Sequence, residues 1–469
     1  MLLFRGGSEN PSPQPPPLPG EGEQARQRFF FSPSPLRGGG WGEGFSEPQL
    51  NSYDTASGLC VRLLGDFIMR TVWTFHSAGQ LVFGRNAAKQ LGDITTRLDA
   101  RRVLIVTDPI LVKVGLADSI REPLAAAGLS LEIFPGGEPE PSMRAAEACV
   151  AMARQFKPDA LVGLGGGSNM DLAKISATLL AHGGGPRDYV GDDKIPGPIA
   201  PLICVPTTAG TGSEVSAASV LTDTDNKIKV GVLSNYLRPR VAVVDPLLTV
   251  SCPPKVTADS GIDALTHAIE AYTAVDNATF PLPSGERSVY QGKHPMGDCL
   301  AEKAIALIGQ HLRQAVRRAD DLDAREGMAL GATLAGMAFS NVGVAVVHAL
   351  EYPVGGATHC SHGAGNGLLL PYVMRFNLTA RPAEFAAIAR LLGEDVTGLD
   401  ERLAAERAIS AVEKLRTDIG VPTRLRDLGV REEQLRPFAD KAFGIKRILR
   451  VNPRPVTAED LEGILRAAF

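Results

Sequence analysis

Four short apolar runs constrain the architecture more than any other feature of the chain. They are RVLIV (Arg102–Val106), ALVGL (Ala160–Leu164), LICV (Leu202–Val205) and VAVV (Val241–Val244). Each is too short for a helix and shows no polar alternation, so each reads as a strand buried on both faces of a parallel sheet. Leu131–Phe134 adds a fifth. Helical stretches at Ala87–Leu98 and Met143–Gln155 fall between them. Strand–helix alternation of this kind predicts a doubly wound α/β sheet. Upstream, TVWTFHSA and QLVFG alternate as two further strands would, and Gly84 ends the second.

After Pro253-Pro254 the strand signals stop. Val256–Ala274, Leu300–Arg318, Leu322–Leu350, Ala383–Leu392, Ala404–Leu415 and Ala458–Phe469 read as helices. The expectation is therefore an α/β domain over 69–251 followed by an all-helical domain over 252–469. A polar, Pro-rich interruption from Asn277 to Pro295 reads as a loop.

Residues 1–68 do not share this pattern. NPSPQPPPLPGEGE is followed by SPSPLRGGGWGEG, its near echo, without a lysine or a helical or strand period. Such composition buries too little apolar area to offset chain entropy, so disorder is expected there, with Met69 as the natural start. The net charge of −4 gives no basic surface for nucleic acid. No apolar run approaches the ~20 residues a membrane span needs. The six cysteines include no C-x-x-C pair. They are expected to be free thiols in a reducing, cytoplasm-like compartment.

Two stretches carry phosphate-binding chemistry. GGGSNMDLAK (Gly165–Lys174) follows a buried strand and opens a helix. Gly165, Gly166 and Gly167 let the backbone approach a diphosphate, and the helix N-terminus supplies free N–H groups. Ser168 is expected to cap that helix and bond a phosphate oxygen. PTTAGTGSE (Pro206–Glu214) follows the next strand. Its hydroxyls, Thr207, Thr208, Thr211 and Ser213, suit a ribose or a nicotinamide. Lys227 and Lys229 follow on one face of a strand.

A third stretch, ADSGIDALTHAIEAY (Ala258–Tyr272), places Asp263 four residues before His267. In a helix both leave one face, one turn apart. VHALEYPVGGATHCSHG (Val347–Gly363) adds His348, His359 and His362. Asp263, His267, His348 and His362 would form an O,N,N,N shell without thiolate, suited to a catalytic divalent metal with an open position. Three imidazoles and one carboxylate accept Fe2+, Zn2+ or Mn2+.

These motifs, GGGSxxDxAK, PTTAGTGSE, GIDALTHAIE and VHALEYPVGG...HG, taken in order, resemble the iron-containing (group III) alcohol dehydrogenases over about 69–469. The resemblance implies a dinucleotide-binding α/β domain, a helical metal-binding domain, and a cleft between them holding metal and nicotinamide. It implies Asp263, His267, His348 and His362 as ligands of Fe2+. It implies diphosphate contacts from Gly165, Gly166, Gly167 and Ser168, with Asp171 of the same motif on the cofactor side. Nicotinamide-side contacts fall to Thr207, Thr208 and Thr211, and a cofactor contact to Lys229. Asp108, at the end of RVLIV, matches the position beside the adenosine ribose. A carboxylate there accepts from the ribose hydroxyls and repels a 2′-phosphate, so NAD is expected rather than NADP. A small alcohol, aldehyde or hydroxyacid is the implied substrate, and a homo-oligomer the implied assembly.

Three departures matter. Tyr352 stands where many members carry a second histidine, and it becomes the candidate for proton transfer. Glu140 in PEPS replaces the Asn of a P-N-P turn. The insertion between Asn277 and Pro295 is not universal, and its Arg287 and Lys293 could pair with a substrate carboxylate. All three, with Tyr352-Pro353, resemble the hydroxyacid–oxoacid transhydrogenase branch. That branch transfers hydride from 4-hydroxybutyrate-type acids to 2-oxoglutarate on a retained nicotinamide.

Overall fold

The computed structural model describes residues 70–226, 228–283 and 286–469. The expectations of a disordered extension over 1–68 and a start at Met69 lie outside them. Among the described residues nine strands, β1 (Leu81–Phe83), β2 (Arg102–Val106), β3 (Ser130–Phe134), β4 (Ala160–Gly165), β5 (Gly191–Asp192), β6 (Leu202–Pro206), β7 (Ala218–Asp223), β8 (Ile228–Leu233) and β9 (Val241–Val244), precede the helical half. Helices α1 (Leu91–Thr96), α2 (Pro109–Lys113), α3 (Leu116–Ala126), α4 (Met143–Phe156) and α5 (Gly167–His182) run between them.

Six strands form one parallel sheet in the order β1-β9-β6-β4-β2-β3. Every residue of β4, β6 and β9 is buried, as continuous apolar strands require. The chain passes from β2 to β3 on one side, then crosses to β4 on the other side of β2. That reversal opens a crevice at the carboxyl ends of β2 and β4, where open α/β sheets bind ligands. A second sheet, β5-β8-β7, holds an antiparallel hairpin that the periodicity did not signal.

TVWTFHSA is not a strand. Only Leu81–Phe83 of the two upstream runs joins the sheet. Thr74 and His76 are held instead by side-chain amides. Gln291 accepts from Thr74 N–H (2.9 Å) and donates to Thr74 C=O (2.8 Å). Asn341 does the same for His76 (2.8 and 2.8 Å). The alternation was real, but its hydrogen-bonding partner is two carboxamides rather than a backbone.

The remainder is helical: α6 (Pro254–Tyr272), α7 (Pro295–Arg317), α8 (Leu322–Val342), α9 (Val346–Thr358), α10 (His362–Asn377), α11 (Pro382–Leu391), α12 (Glu401–Asp418), α13 (Leu435–Phe443), α14 (Lys446–Leu449) and α15 (Ala458–Ala468). The run read as Leu322–Leu350 is two helices, α8 and α9, bent by 104°. The break falls at Gly343, whose φ of +123° is open to glycine and strained for other residues. Helices α6, α7, α8, α9 and α10 share one apolar cluster, including Ile262, Leu265, Ile308, Leu350 and Leu369. Among the described residues no single helix is long and apolar enough to cross a membrane, and the five described cysteines are free thiols.

Candidate active site

The glycine motif forms a cradle at the β4–α5 junction. Gly165 has φ +142°, and a Cβ there would collide with Asn169. A Cβ on Gly167 would come 2.9 Å from Thr211 Cγ2, whereas one on Gly166 would meet nothing nearer than Thr208 Oγ1 at 3.5 Å. The cradle is thus open at Gly166 and walled by Thr208 and Thr211. Thr207 is buried, and its N–H donates to Gly165 C=O at 3.0 Å. It fastens the two motifs together from behind.

Ser168 does not cap α5. Gly166 occupies the N-cap position and Ser168 lies inside the first turn, because the helix begins two residues earlier than its Ser suggested. Its hydroxyl faces the PEPS turn, 3.4 Å from Glu140 N. Asp108 stands across the crevice as the N-cap of α2, accepting from Ile110 and Leu111 N–H (2.8 and 3.0 Å) and from Asn169 Nδ2 (2.7 Å). Asp171 is not open to the cradle. Its oxygens accept from Ser213 Oγ (2.7 Å) and Val220 N–H (2.9 Å). With buried Lys174, which donates to Ser213 Oγ, Ser216 and Ala218 C=O, it anchors the threonine loop to α5. Burial pushes the Asp171 carboxyl pKa up, against the pull of Lys174. Lys229 reaches Glu140 at 2.6 Å.

The threonine loop is also pressed against the helical half. A Cβ on Gly210 would come 2.5 Å from Ser260 Cβ on α6, and one on Gly212 would collide with Gly336 on α8. These close approaches bring Thr208 and Thr211 beside the turn of α6 that carries Asp263 and His267.

Asp263, His267 and His348 are buried, and their ligating atoms lie within 4.8 Å of one another. His362, the first residue of α10, brings its Nε2 to 4.0 Å from Asp263 Oδ1, and His348 Nε2 lies at 3.9 Å. The four predicted side chains therefore converge from three helices. His267 is stacked between Phe339 (centroids 4.1 Å apart) and His348 (4.8 Å).

Two carboxylates that the sequence reading missed set the histidine tautomers. Glu270 accepts from His348 Nδ1 at 2.6 Å, and also from Ala345 and Val347 N–H at 2.8 and 2.7 Å. Glu351 accepts from His362 Nδ1 at 2.5 Å. With Nδ1 protonated, each neutral imidazole presents its Nε2 lone pair inward; at His362 a cation binding there displaces the second proton that Glu351 and Asp263 favour. Both carboxylates had a signal in the sequence: each lies three residues after a histidine on the same helix, His267 to Glu270 and His348 to Glu351. Burial opposes the His362 imidazolium, but Glu351 and Asp263 outweigh it and raise its pKa to about 9. For Asp263, burial is likewise outweighed, and the three imidazoles hold its carboxyl below the ordinary range. A convergent anionic oxygen with inward imidazole lone pairs fits a divalent cation of intermediate hardness.

Tyr352 lies beside the ligand set, its ring 6.2 Å from that of His362. Burial pushes its phenol pKa up. Arg287 and Lys293 are both engaged with carboxylates, Asp193 at 3.2 Å and Asp298 at 2.6 Å. Lys293 also lies over the Tyr272 ring.

Comparison with known proteins identifies the family. Residues 78–246 match the model of the iron-containing alcohol dehydrogenase family, and 286–469 match that of the Fe-containing alcohol dehydrogenase family C-terminal domain. The NAD-dependent methanol dehydrogenase of Bacillus methanolicus is 39% identical over 388 residues, covering 83% of this chain and 97% of the relative. The 1,3-propanediol dehydrogenase of Klebsiella pneumoniae is 40% identical over 389 residues, covering 82% and 96%. Among solved structures, a 1,3-propanediol oxidoreductase superposes with a TM-score of 0.80 at 38% identity, covering 85% of this chain and all of that one. The chain belongs to the iron-containing alcohol dehydrogenase family.

Proposed function

We propose that Asp263, His267, His348 and His362 hold Fe2+, and that the chain transfers hydride between a small alcohol or aldehyde and NAD bound at the Gly165–Gly167 cradle. The observation that carries this reading is the inward orientation of the His348 and His362 lone pairs, enforced by Glu270 and Glu351, toward Asp263. A metal held there supplies Lewis acidity to a substrate oxygen, and a nicotinamide beside it supplies the hydride acceptor.

The chain's own residues do the rest. Gly166 admits the diphosphate, and the α5 N-terminus offers it unpaired N–H groups. Thr208 and Thr211 flank the path from the cradle to the ligands. Asp108 faces the adenosine ribose and disfavours a 2′-phosphate. Lys229, paired with Glu140, lies between the Ser168 turn and Glu351, along the nicotinamide half of the cofactor. Phe339 covers His267, and Tyr352 walls the site beside His362, keeping water from the hydride path.

The dehydrogenase reading is favoured over a transhydrogenase. The two insertion cations offered for a hydroxyacid carboxylate already have partners. The relatives described above carry dehydrogenase names. A homo-oligomer in a reducing compartment completes the reading. Val72 and Trp73, 74% and 38% exposed, lie in the segment leading to edge strand β1 and offer apolar area to a second copy.

The test is the full chain loaded anaerobically with Fe2+ and given NAD with short alcohols, 1,2- and 1,3-diols and 4-hydroxybutyrate, following NADH absorbance. In parallel, 4-hydroxybutyrate is given with 2-oxoglutarate and no added cofactor. NADH formation that is abolished in D263A is the expected result. Product only in the second arm would overturn the dehydrogenase reading in favour of a retained nicotinamide.

A further inference from the structure

Asn366 is fully buried on α10, one turn after His362. Its Nδ2 lies 2.7 Å from Asp263 Oδ1, 3.2 Å from His348 Nε2 and 3.1 Å from His362 Nε2. Three of the four ligand atoms therefore converge on one amide nitrogen. Its Oδ1 is buried without a hydrogen-bond partner among the described residues.

The bond from Nδ2 to Asp263 accounts for the amide nitrogen but not for the buried, unpaired oxygen. Leucine would fill similar space without leaving a carbonyl unpaired, and buried polar atoms are rarely left so. The lone pairs that meet the amide hydrogens are those a divalent cation takes at about 2.0–2.3 Å. An N–H hydrogen directed at a cation is repelled, so that orientation of the carboxamide and a bound ion exclude each other. The last side-chain torsion of asparagine is broad and roughly two-fold, and a half-turn exchanges nitrogen and oxygen without moving α10. After that turn the oxygen faces the ligand triangle. It is a hard, neutral donor of the kind Fe2+, Mn2+ and Zn2+ accept.

We propose that Asn366 is a fifth residue of the metal site, its side-chain oxygen turned toward the bound divalent cation. The proposal rests on the metal reading of Asp263, His267, His348 and His362. It assigns Asn366 to setting affinity and coordination number, with no part in moving a proton.

The experiment uses the metal-stripped full chain and Co2+ as probe, without cofactor or substrate. The Kd is measured by competition with a chromogenic chelator, and the visible spectrum of the loaded protein is recorded. N366L is expected to weaken Co2+ binding by at least about 10-fold, since losing even a residue that only orients a ligand costs roughly 10- to 100-fold. Its visible bands should intensify as an oxygen leaves the cation's surroundings. N366D keeps the shape and the oxygen and adds charge, so it is expected to bind at least as tightly as wild type. N366L with wild-type affinity and spectrum would overturn the proposal. So would N366D binding more weakly than wild type, and that arm decides the matter if N366L does not fold. D263A is the control. If it binds Co2+ as wild type does, the ligand set itself has been misassigned, and the failure lies there rather than with Asn366.

Discussion

Replacing Glu270 by glutamine removes one charge and one acceptor from a buried carboxylate with three donors. Its Oε2 takes Ala345 N–H and His348 Nδ1–H, and its Oε1 takes Val347 N–H. Glutamine can place its single oxygen where Oε2 stood. Its amide then faces the Val347 N–H, donor against donor. A buried donor left unpaired costs about 1–3 kcal/mol. The donor lies at the junction that turns α8 into α9, so the loss falls on the segment that positions His348. The imidazole also loses an ionic partner and with it some of its strength as a ligand. Removing such a partner lowers metal affinity by roughly 10- to 100-fold. E270Q is thus expected to lose about 1–3 kcal/mol of stability in the metal-free chain. It should also bind Fe2+ or Co2+ about 10- to 100-fold more weakly. Urea unfolding of the metal-free protein reads the first effect, and chelator competition reads the second. An E270Q protein that is less stable yet binds metal as wild type would refute the role assigned to the Glu270–His348 bond and leave Glu270 a junction residue only.

Other perturbations separate neighbouring parts of the argument. In G363A the added Cβ would collide with the Asp259 carbonyl and come 3.1 Å from Asp263 Cβ. Pushing α10 off α6 should cost about 1–3 kcal/mol and lower bound metal per chain, measured by elemental analysis; full occupancy in the variant would contradict the packing account. Y352F should keep kcat well short of the roughly 100-fold loss that removing a general acid–base group brings, since burial raises the phenol's pKa and its role is to wall the site. Loss of one limb of the pH–rate profile would instead make Tyr352 the proton-transfer residue. His294 caps α7 through Nδ1, accepting from Gly297 N–H at 3.2 Å, and stacks on Trp73. Burial, then Lys293, holds its pKa below 6.5. The native state therefore takes up this proton less readily than the unfolded chain. Stability should be full above about pH 6.5 and fall below it, by at most about 1.4 kcal/mol per pH unit. H294N keeps a capping acceptor, and urea unfolding at several pH values should show a shallower acid slope; an unchanged slope would clear His294.

The amino-acid sequence determined the parts whose signal is local. The runs RVLIV, ALVGL, LICV and VAVV are strands because a parallel sheet covered on both faces needs uninterrupted apolar side chains. Asp263 and His267 share a face because a helix repeats every 3.6 residues. The carboxylates that orient His348 and His362 were present at helical spacing, but a Glu on a helix is usually solvated, and nothing local says which are buried. Tertiary structure decided the rest. It gave TVWTFHSA two carboxamides in place of a neighbouring strand, and it turned the chain by 104° at Gly343 so that His348 meets α6. It tied Asp171 to Ser213 and Val220 as a brace and directed the amide of Asn366 at three ligand atoms. Most of these join groups more than 40 residues apart, such as Thr74 with Gln291 and Asn366 with Asp263, and periodicity carries no information about which distant surfaces will meet.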